Sequence, residues 1–265
     1  MSIHPSAIVD DGAELASDVE IGPFAVIGSG VILRGGVRVG AHTVVQGPCD
    51  IGERTRIFHH AVIGEEAQDL KFDGGPTSLE IGPDNTFREF TTVNRGTQNG
   101  TTRIGSNNLF MAYSHVAHDA TIGDRCVFAN SANIAGHVVV ENDVVLGGLV
   151  GVHQHCRIGR SSMVGGGSMA AQDVPPFTIA QGDRARLFGL NIVGLRRNEF
   201  SFDVITALKG AYRELFHQGT PIRIALETVR DGYANVPEIA ELVSFIEGST
   251  RGICRSAGTE PNLDG

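Results

Sequence analysis

Histidines and carboxylates concentrate in one stretch of the chain, between positions 110 and 158. The stretch contains His115, His118, His137 and His153, and Asp119 directly follows His118. A histidine beside a carboxylate can act as a general base near neutral pH, because the anion orients the ring and stabilises the imidazolium. A single His–Asp pair is usually a solvated turn, so the case for catalysis depends on whether the other histidines meet this pair in space.

A zinc site is the main alternative for the same histidines. A catalytic zinc ion needs three convergent protein ligands and an open position for water. His115 and His118 could supply two ring nitrogens, but no second cluster is clearly placed to supply the third. A hydratase that holds zinc between histidine-lined subunits is therefore less favoured than a metal-free base, and we expect no metal and no cofactor.

The elements that must position these residues show a period of six. The apolar series is Phe110, Val116, Ile122, Phe128, Ile134, Val140, Leu146, Val152 and Ile158. Small or β-branched residues stand two positions before most of its members. This period fits neither an α-helix nor a two-faced strand. It is typical of a parallel β-helix of hexapeptide repeats, in which each hexad forms one short strand and one turn.

Three hexads make one triangular coil, so each residue lies roughly 4.8 Å from the residue 18 positions later, the ordinary strand spacing. This rule stacks His118 on Gly136 and Gly136 on Gln154. The neighbours of this column are His115, His137 and His153. The Gly136 N–H has no side chain in its way and could bind the oxyanion that forms at a thioester carbonyl.

A second glycine column is predicted by the same rule. Gly148 and Gly166 are 18 residues apart and stack on each other. They are 12 residues out of phase with the histidine column, so they lie on a different face of the prism.

The hexad ladder covers most of the chain. It begins at Ile3, runs unbroken in steps of six to Ile63, and fades at Ala170. Polar, glycine-containing segments interrupt it near 65–78 and 94–103, where we expect two loops to leave the prism. We therefore predict an all-β parallel β-helix over residues 1–190, within which residues from Phe177 onward are a connector.

The period becomes helical after this β-helix. Ser201 is a plausible N-cap, and glycine and proline punctuate the segments that follow. We predict a small α-helical C-terminal domain over residues 191–249. The tail over 250–265 is predicted to be disordered.

Composition restricts the classes of partner and the cellular location. The 265 residues include 35 glycines and carry a net charge of −9, which argues against bulk attraction to nucleic acid or an anionic membrane. The N-terminus lacks the features of a signal peptide, and no apolar run is long enough to span a membrane. Cys49, Cys126 and Cys156 fall on inward positions and are interpreted as packing thiols. We expect a cytoplasmic protein that binds no nucleic acid and does not insert stably into a membrane.

A hexapeptide prism exposes three flat faces and cannot easily enclose a ligand alone. Such solenoids commonly associate, and a closed threefold ring is an economical arrangement. A groove between two prisms is then the expected ligand site.

Two polar groups outside the histidine stretch could contribute to binding. The loop Gln68–Lys71 offers an amide, an acid and an amine for a sugar or a phosphate, although a solvated loop has the same composition. Basic residues stand out in an acidic chain at Arg184, Arg186, Arg196 and Arg197. They could bind phosphate or an acidic carrier protein, or they could form a plain surface patch.

Six motifs, in this order and over nearly the whole chain, resemble one family. They are QDLK (68–71), HVAHD (115–119), NIAGH (133–137), GVHQ (151–154), AQDVPPF (171–177) and NIVGLRR (191–197). These residues look like those of the UDP-N-acetylglucosamine acyltransferases that start lipid A synthesis. The hexad pattern alone is shared by many acyltransferases, whereas the QDLK loop, the HxxHD turn and the VPPF connector are much more specific.

The resemblance implies a left-handed β-helix in a homotrimer, which transfers an (R)-3-hydroxyacyl chain from acyl carrier protein to the 3-hydroxyl of a UDP-sugar. It implies that His118 is the base, that Asp119 supports it, and that the Gly136 N–H binds the oxyanion. The residues implied to line the sugar-nucleotide and acyl groove are Gln68, Asp69, Lys71, His115, His137, His153 and Gln154. Asn191 and Arg197 are implied to meet the nucleotide. Glycine at position 166 matches the family position that limits acyl length, which implies a long donor such as 3-hydroxymyristoyl.

Three positions depart from the family pattern. Val193 stands where glutamate is frequent, Asn198 where a further arginine is frequent, and Asn94 where histidine is frequent. They leave open whether the acceptor is UDP-N-acetylglucosamine or its 3-amino analogue. A sibling family that acylates the next intermediate usually carries an additional N-terminal domain, and a ladder that begins at Ile3 argues against it.

Overall fold

The computed structural model describes residues 1–257. Short strands follow one another along the chain as far as residue 190. The first eleven are β1 (Ser2–Ile3), β2 (Ile8–Val9), β3 (Glu14–Leu15), β4 (Glu20–Ile21), β5 (Val26–Ile27), β6 (Val31–Leu33), β7 (Arg38–Val39), β8 (Val44–Val45), β9 (Cys49–Ile51), β10 (Arg56–Ile57) and β11 (Val62–Glu65). The next three are β12 (Ser78–Ile81), β13 (Thr86–Phe87) and β14 (Thr92–Asn94).

The remaining parallel strands carry the histidine-rich stretch. They are β15 (Thr101–Ile104), β16 (Leu109–Phe110), β17 (His115–Val116), β18 (Thr121–Ile122), β19 (Val127–Phe128), β20 (Asn133–Ile134), β21 (Val139–Val140), β22 (Val145–Leu146), β23 (Gly151–Val152), β24 (Arg157–Ile158), β25 (Met163–Val164) and β26 (Met169–Ala170). Two longer strands, β27 (Thr178–Gln181) and β28 (Arg186–Leu190), close the β-helix.

Every third strand pairs in parallel, which gives a prism with three flat faces. Face A contains the series that starts with β1, face B the series that starts with β2, and face C the series that starts with β3. The register between neighbouring coils is 18 residues in the histidine stretch, as in the pairs His115↔Asn133 and Val116↔Ile134. The predicted stacking rule is therefore confirmed there.

The predicted apolar ladder forms the core of the prism. Its members from Phe110 to Ile158 are all buried, and the Phe87, Phe110 and Phe128 rings stack along the axis with centroids 4.7 Å apart. Burial of two inward side chains per hexad, the ladder residue and the small residue two positions before it, offsets the cost of turning the chain every six residues. Cys49, Cys126 and Cys156 are buried and unpaired, as predicted.

Both predicted excursions are present and are shorter than expected. The first occupies residues 66–77, between β11 and β12, and the second occupies residues 95–100, between β14 and β15. The second was expected to reach residue 103, but Thr101–Arg103 pair with Ser78–Glu80 and so belong to face C. Backbone pairing with a neighbouring coil satisfies peptide groups that the sequence alone assigns to a loop.

The connector contains structure that the repeat does not predict. β27 and β28 pair antiparallel and extend face A, and a short helix follows them directly. The helices are α1 (Ile192–Arg197), α2 (Phe202–Phe216), α3 (Ile222–Gly232) and α4 (Pro237–Glu247). Ser201 caps α2 as predicted, because its side chain accepts a hydrogen bond from the Val204 N–H. The helices bury a separate apolar core, which includes Leu195 of α1 and also contains Phe177 of the connector.

The prediction of a disordered tail is wrong for residues 250–257. Ile253 forms a parallel bridge with Asp173, Ser256 forms one with Leu187, and Cys254 is buried. These residues follow α4 back across the end of the prism and satisfy backbone groups there. Residues 258–265, which the same prediction included, lie outside the described part of the chain.

Candidate active site

A groove on face B brings six of the predicted site residues together. It runs across β17, β20, β23 and β26 and has a volume of about 670 Å³. The predicted residues that line it are Gln68, His115, His118, Gly136, His153 and Gln154. Asn133, Met169 and Asp183 also line it and were not predicted, because their positions in the repeat do not distinguish them from ordinary surface residues.

His118 and Asp119 form the expected pair at the edge between faces B and C. Asp119 adopts a φ of 57°, which turns the chain sharply after β17 and directs its carboxylate back to its neighbour. The His118 Nδ1 lies 2.9 Å from Asp119 Oδ2, and both side chains are nearly buried. A carboxylate at Nδ1 fixes the proton on that nitrogen, so Nε2 is the unprotonated atom that can accept a proton.

The second excursion supports Asp119. The Thr97 N–H lies 3.1 Å from both carboxylate oxygens, and the Thr97 hydroxyl donates to Oδ2 at 2.7 Å. Thr102 accepts a hydrogen bond from the Asp119 backbone N–H at 2.8 Å. Burial opposes ionisation of Asp119, but the hydrogen bonds from Thr97 and His118 outweigh it and hold the pKa of this carboxyl below its ordinary value. Asp119 is therefore an anion at neutral pH.

Gly136 lies directly under the His118 ring, as the stacking rule predicts. A Cβ atom placed on Gly136 would be 2.5 Å from Cε1 and 2.6 Å from Nε2 of His118. Within residues 1–257 the Gly136 N–H makes no hydrogen bond. A free backbone donor therefore lies beside the basic nitrogen, and only glycine leaves room for both.

His115 and His137 are two further histidines near the pair. His115 Nδ1 lies 2.7 Å from the Thr92 hydroxyl, and burial, followed by the nearby His118, lowers the pKa of His115. His137 Nε2 lies 3.8 Å from Asp119 Oδ2, and burial lowers the pKa of His137 although Asp119 opposes this. Both rings are therefore neutral and polar at neutral pH.

The first excursion places only one of its predicted residues on the groove. Gln68 lines it, whereas Lys71 is exposed and does not. Asp69 Oδ1 accepts the Lys71 backbone N–H at 3.0 Å, which closes a local turn. Contacts of Asp69 and Lys71 with a substrate stay a prediction.

The four arginines lie on two separate elements. Arg184 lines the groove and Arg186 begins β28, while Arg196 and Arg197 end α1. The five residues of β28 span roughly 13 Å between its ends, so these pairs do not form one cluster. Arg197 is exposed and free to meet an anion.

Asn191 has a structural role in the part of the chain that the structure describes. Its Nδ2 donates to the Ser161 carbonyl at 3.0 Å, and its Oδ1 accepts the Gly194 N–H at 3.1 Å, so it caps α1. The side chain is buried and does not line the groove. A contact between Asn191 and a nucleotide stays a prediction.

The two other glycines that were singled out stack as predicted. A Cβ atom on Gly166 would be 3.3 Å from the Gly148 carbonyl oxygen, so the two residues are neighbours at the edge between faces A and B. Neither residue lines the groove of its own chain. Gly166 has an ordinary backbone conformation and little beside its Cα, so a side chain fits there with a small adjustment.

The departure at Asn94 is buried at the end of β14. Its Nδ2 donates to the Glu66 carbonyl at 2.6 Å, and its Oδ1 has no hydrogen-bond partner among residues 1–257. Val193 and Asn198, the other two departures, lie on and directly after α1.

One group of side chains could hold a metal ion within the described residues. The donor atoms of His118, Asp119 and His137 lie within 4.8 Å of one another. This set differs from the one considered from sequence, in which His115 was paired with His118. Zinc would have to compete for Asp119 with the Thr97 and His118 hydrogen bonds, so the geometry favours the hydrogen-bonded pair. Independence from metal stays a prediction.

The cysteines do not offer a nucleophile for acyl transfer. All four are buried, and burial raises the pKa of the Cys126 and Cys254 thiols to about 12. The thiolate is the reactive form, and it is scarce at neutral pH for such groups. None of the four cysteines therefore fits the role of a covalent nucleophile at this groove.

Two protein-family models match parts of this chain. The second domain of UDP-N-acetylglucosamine O-acyltransferases matches residues 173–254, and the bacterial transferase hexapeptide repeat matches residues 101–136. The first match covers the helical domain and the segment after it. The second covers the coils that hold His118 and Gly136.

Full-length relatives give the same result. The acyl-[acyl-carrier-protein]–UDP-N-acetylglucosamine O-acyltransferase of Aliarcobacter butzleri is 51% identical over 95% of this chain and 97% of its own length. The enzyme of that name from Thiobacillus denitrificans is 48% identical over 96% of this chain and 99% of its own. The solved UDP-N-acetylglucosamine O-acyltransferase of Moraxella catarrhalis is 40% identical, covers 96% of this chain and 100% of its own, and superposes with a TM-score of 0.93. The likeness confirms the predicted left-handed parallel β-helix with a helical C-terminal domain.

Proposed function

This chain belongs to the acyl-[acyl-carrier-protein]–UDP-N-acetylglucosamine O-acyltransferases, and from that premise we propose how its groove carries out the reaction. The enzyme transfers an acyl chain from acyl carrier protein to UDP-N-acetylglucosamine in lipid A biosynthesis. The observation that supports the site most strongly is the free Gly136 N–H beside the His118 ring.

His118 acts as the general base of the transfer. Its Nε2 removes the proton from the sugar 3-hydroxyl as that oxygen attacks the thioester carbonyl carbon. Asp119 keeps the ring oriented and stabilises the imidazolium that forms, because its carboxylate stays ionised. The Gly136 N–H donates to the oxyanion of the tetrahedral intermediate. The intermediate collapses with cleavage of the C–S bond, and the proton on His118 passes to the departing sulfur.

A closed homotrimer completes the groove in our proposal. Face B leaves the groove open along one side, and a neighbouring prism in a threefold ring would cover it with a different edge of its own. The Gly148–Gly166 column, at the edge between faces A and B, is suited to this because neither of these two residues has a side chain. Within residues 1–257 no helix has the length and apolarity needed to cross a bilayer.

The acceptor and the linkage can be tested by product analysis. Purified protein is incubated with UDP-N-acetylglucosamine and a 3-hydroxyacyl carrier thioester, and in parallel with the 3-amino sugar. We expect an acylated nucleotide sugar from the first acceptor, and we expect mild base to cleave it because it is an ester. Absence of any acylated sugar would contradict the assignment, and acylation of the 3-amino sugar alone would show the other acceptor.

The length of the donor chain is predicted to depend on Gly166. We propose that the glycine edge leaves room for a long chain of the 3-hydroxymyristoyl class. Gly166→Met should shift preference towards a shorter donor by about tenfold, because a packed groove does not absorb added volume cheaply. The measurement is a competition between long and short 3-hydroxyacyl donors for both proteins. A wild type that prefers the short donor, or an unchanged ratio in the variant, would show that Gly166 does not set the length.

Catalysis is predicted to need no metal. Dialysis against a chelator should leave turnover unchanged, since His118 and Asp119 are already joined by a hydrogen bond. The control is the same protein supplied with zinc after dialysis, and its turnover should not increase. Loss of turnover on chelation together with recovery on zinc addition would favour the group formed by His118, Asp119 and His137 as a metal site.

A further inference from the structure

The segment that follows α4, residues 249–257, forms a strap across the end of the prism. Ser249 donates through its hydroxyl to Asp173 Oδ2 at 2.6 Å, and the Gly252 carbonyl accepts the Asp173 N–H at 2.9 Å. The Cys254 N–H donates to the Asp173 carbonyl at 2.8 Å, and Asp173 is fully buried. These contacts fix the backbone on both sides of Arg251.

Arg251 reaches from this strap to a histidine of the groove. Its Nη2 lies 3.0 Å from His153 Nδ1 and 3.4 Å from the Ala171 carbonyl. The Nε of the same guanidinium is buried and has no hydrogen-bond partner within residues 1–257. An unpaired buried donor is costly, so an apolar side chain would serve packing better at this position. The arginine is therefore explained by its polar contacts, with His153, the Ala171 carbonyl and the Cys156 thiol, and not by packing.

This contact determines which nitrogen of His153 carries the proton. A guanidinium can only donate hydrogen bonds, so Nδ1 must offer its lone pair and the proton must be on Nε2. The Gln154 carbonyl lies 3.2 Å from the same Nδ1, but it is also an acceptor and cannot bond to an unprotonated nitrogen. The charged donor is the closer and the stronger partner.

His118 and His153 thus have opposite roles, although both are histidines that line the groove. His118 has a carboxylate at Nδ1, which leaves Nε2 as an acceptor. His153 has a guanidinium at Nδ1, which leaves Nε2–H as a donor. An acyl transfer needs both kinds of group, a base for the hydroxyl proton and donors for substrate oxygens.

We propose that Arg251 is a positioning residue that holds His153 as a neutral hydrogen-bond donor to an oxygen of the bound substrates. Arg251 does not touch substrate and acts only through His153. The inference rests on the proposed function for its effect on rate, but its structural part is independent of activity.

A double-mutant cycle tests this coupling. Arg251→Met should lower kcat/KM by about tenfold, the loss of roughly one hydrogen bond. In a His153→Ala background the same substitution should change kcat/KM by less than about twofold, because the residue it acts through is gone. Arg255→Met is the matched control on the strap, since its side chain is exposed, and it should leave kcat/KM unchanged. Equal losses from Arg251→Met in both backgrounds would show a merely structural role and overturn the proposal.

Nitrogen NMR of the imidazole rings gives a readout that does not need turnover. Wild-type His153 should show an unprotonated Nδ1 and a protonated Nε2, and Arg251→Met should lose this preference. Arg251→Lys retains a cation that can only donate hydrogen bonds, so this variant should keep the His153 tautomer and most of the activity. It provides a second test of the proposal if Arg251→Met does not fold. A protonated Nδ1 in the wild type would overturn the proposal even if acyl transfer is normal, and a correct tautomer without acyl transfer would instead count against the proposed function.

Discussion

His118→Ala is expected to lower turnover by roughly 10² to 10⁴, the range typical for loss of a general base. The reason is geometric: His118 has its Nδ1 bonded to Asp119 and its Nε2 beside the free Gly136 N–H. Substrate affinity should change much less, because the ring is one of several groups that line the groove. Initial rates of acyl-sugar formation at saturating substrates measure the effect.

His4→Ala is the matched control for this variant. His4 is an exposed histidine of the first coil, and among residues 1–257 its ring hydrogen-bonds only to Ser6, so its loss should leave turnover unchanged. The mass of the assembly in solution should be the same for both variants and for the wild type. Near-normal turnover of His118→Ala in an intact assembly would remove the base from the mechanism.

Gly136→Ala should have the second largest effect, a loss of about 10² in turnover. The added Cβ would lie 2.5 Å from Cε1 of His118, so the ring has to move by about 1 Å, and a displacement of that size in a reacting group costs about two orders of magnitude. The fold should survive, since Gly136 has no positive φ and the alanine methyl group meets a side chain and not the backbone.

Gly35→Ala provides the matched control. Gly35 also stands two residues after an inward ladder residue, and a Cβ there would meet Asp18 at an ordinary 3.4 Å. We expect full turnover and unchanged thermal stability for Gly35→Ala. If Gly136→Ala also kept full turnover, catalysis would not depend on the observed positions of the Gly136 N–H and the His118 ring.

The fold could be predicted from the sequence because each hexad repeats the same local sequence pattern and forms the same unit of one strand and one turn. An inward apolar residue, a small residue two positions earlier and a tight turn recur at a fixed period, so errors do not accumulate along the chain. The same regularity predicted contacts between coils. It placed His118 on Gly136 and Gly148 on Gly166 from spacing alone, and both contacts are present.

The parts that were missed are those where the period does not apply. Thr97 supports Asp119 from an excursion whose path depends on loop contacts and not on the repeat. Arg251 reaches His153 across 98 positions from a segment whose composition indicated disorder. The hairpin of β27 and β28 was also missed, because strands of four and five residues joined by a four-residue turn are too short for a pattern to stand out.

Buried polar residues illustrate a related limit. Asn191 was assigned to the nucleotide by resemblance, but the structure uses both ends of its amide to cap α1 and to hold Ser161. Sequence shows which polar group is present, while its partners depend on the packing of an element that the sequence does not position. The binding roles predicted for four residues therefore have to be tested with bound substrates. These residues are Asn191, Asp69, Lys71 and Arg197.

The central claim is that His118 works as a base, so the acyl chain passes directly from carrier thioester to sugar. Intact-protein mass spectrometry after acid quench tests this most directly. The enzyme is incubated with the acyl carrier thioester alone, and the acceptor UDP-N-acetylglucosamine is then added. We predict unmodified enzyme at every time point and acylated sugar only after the acceptor is added. An enzyme species heavier by one acyl group, which forms without acceptor and disappears when acceptor is added, would contradict the account.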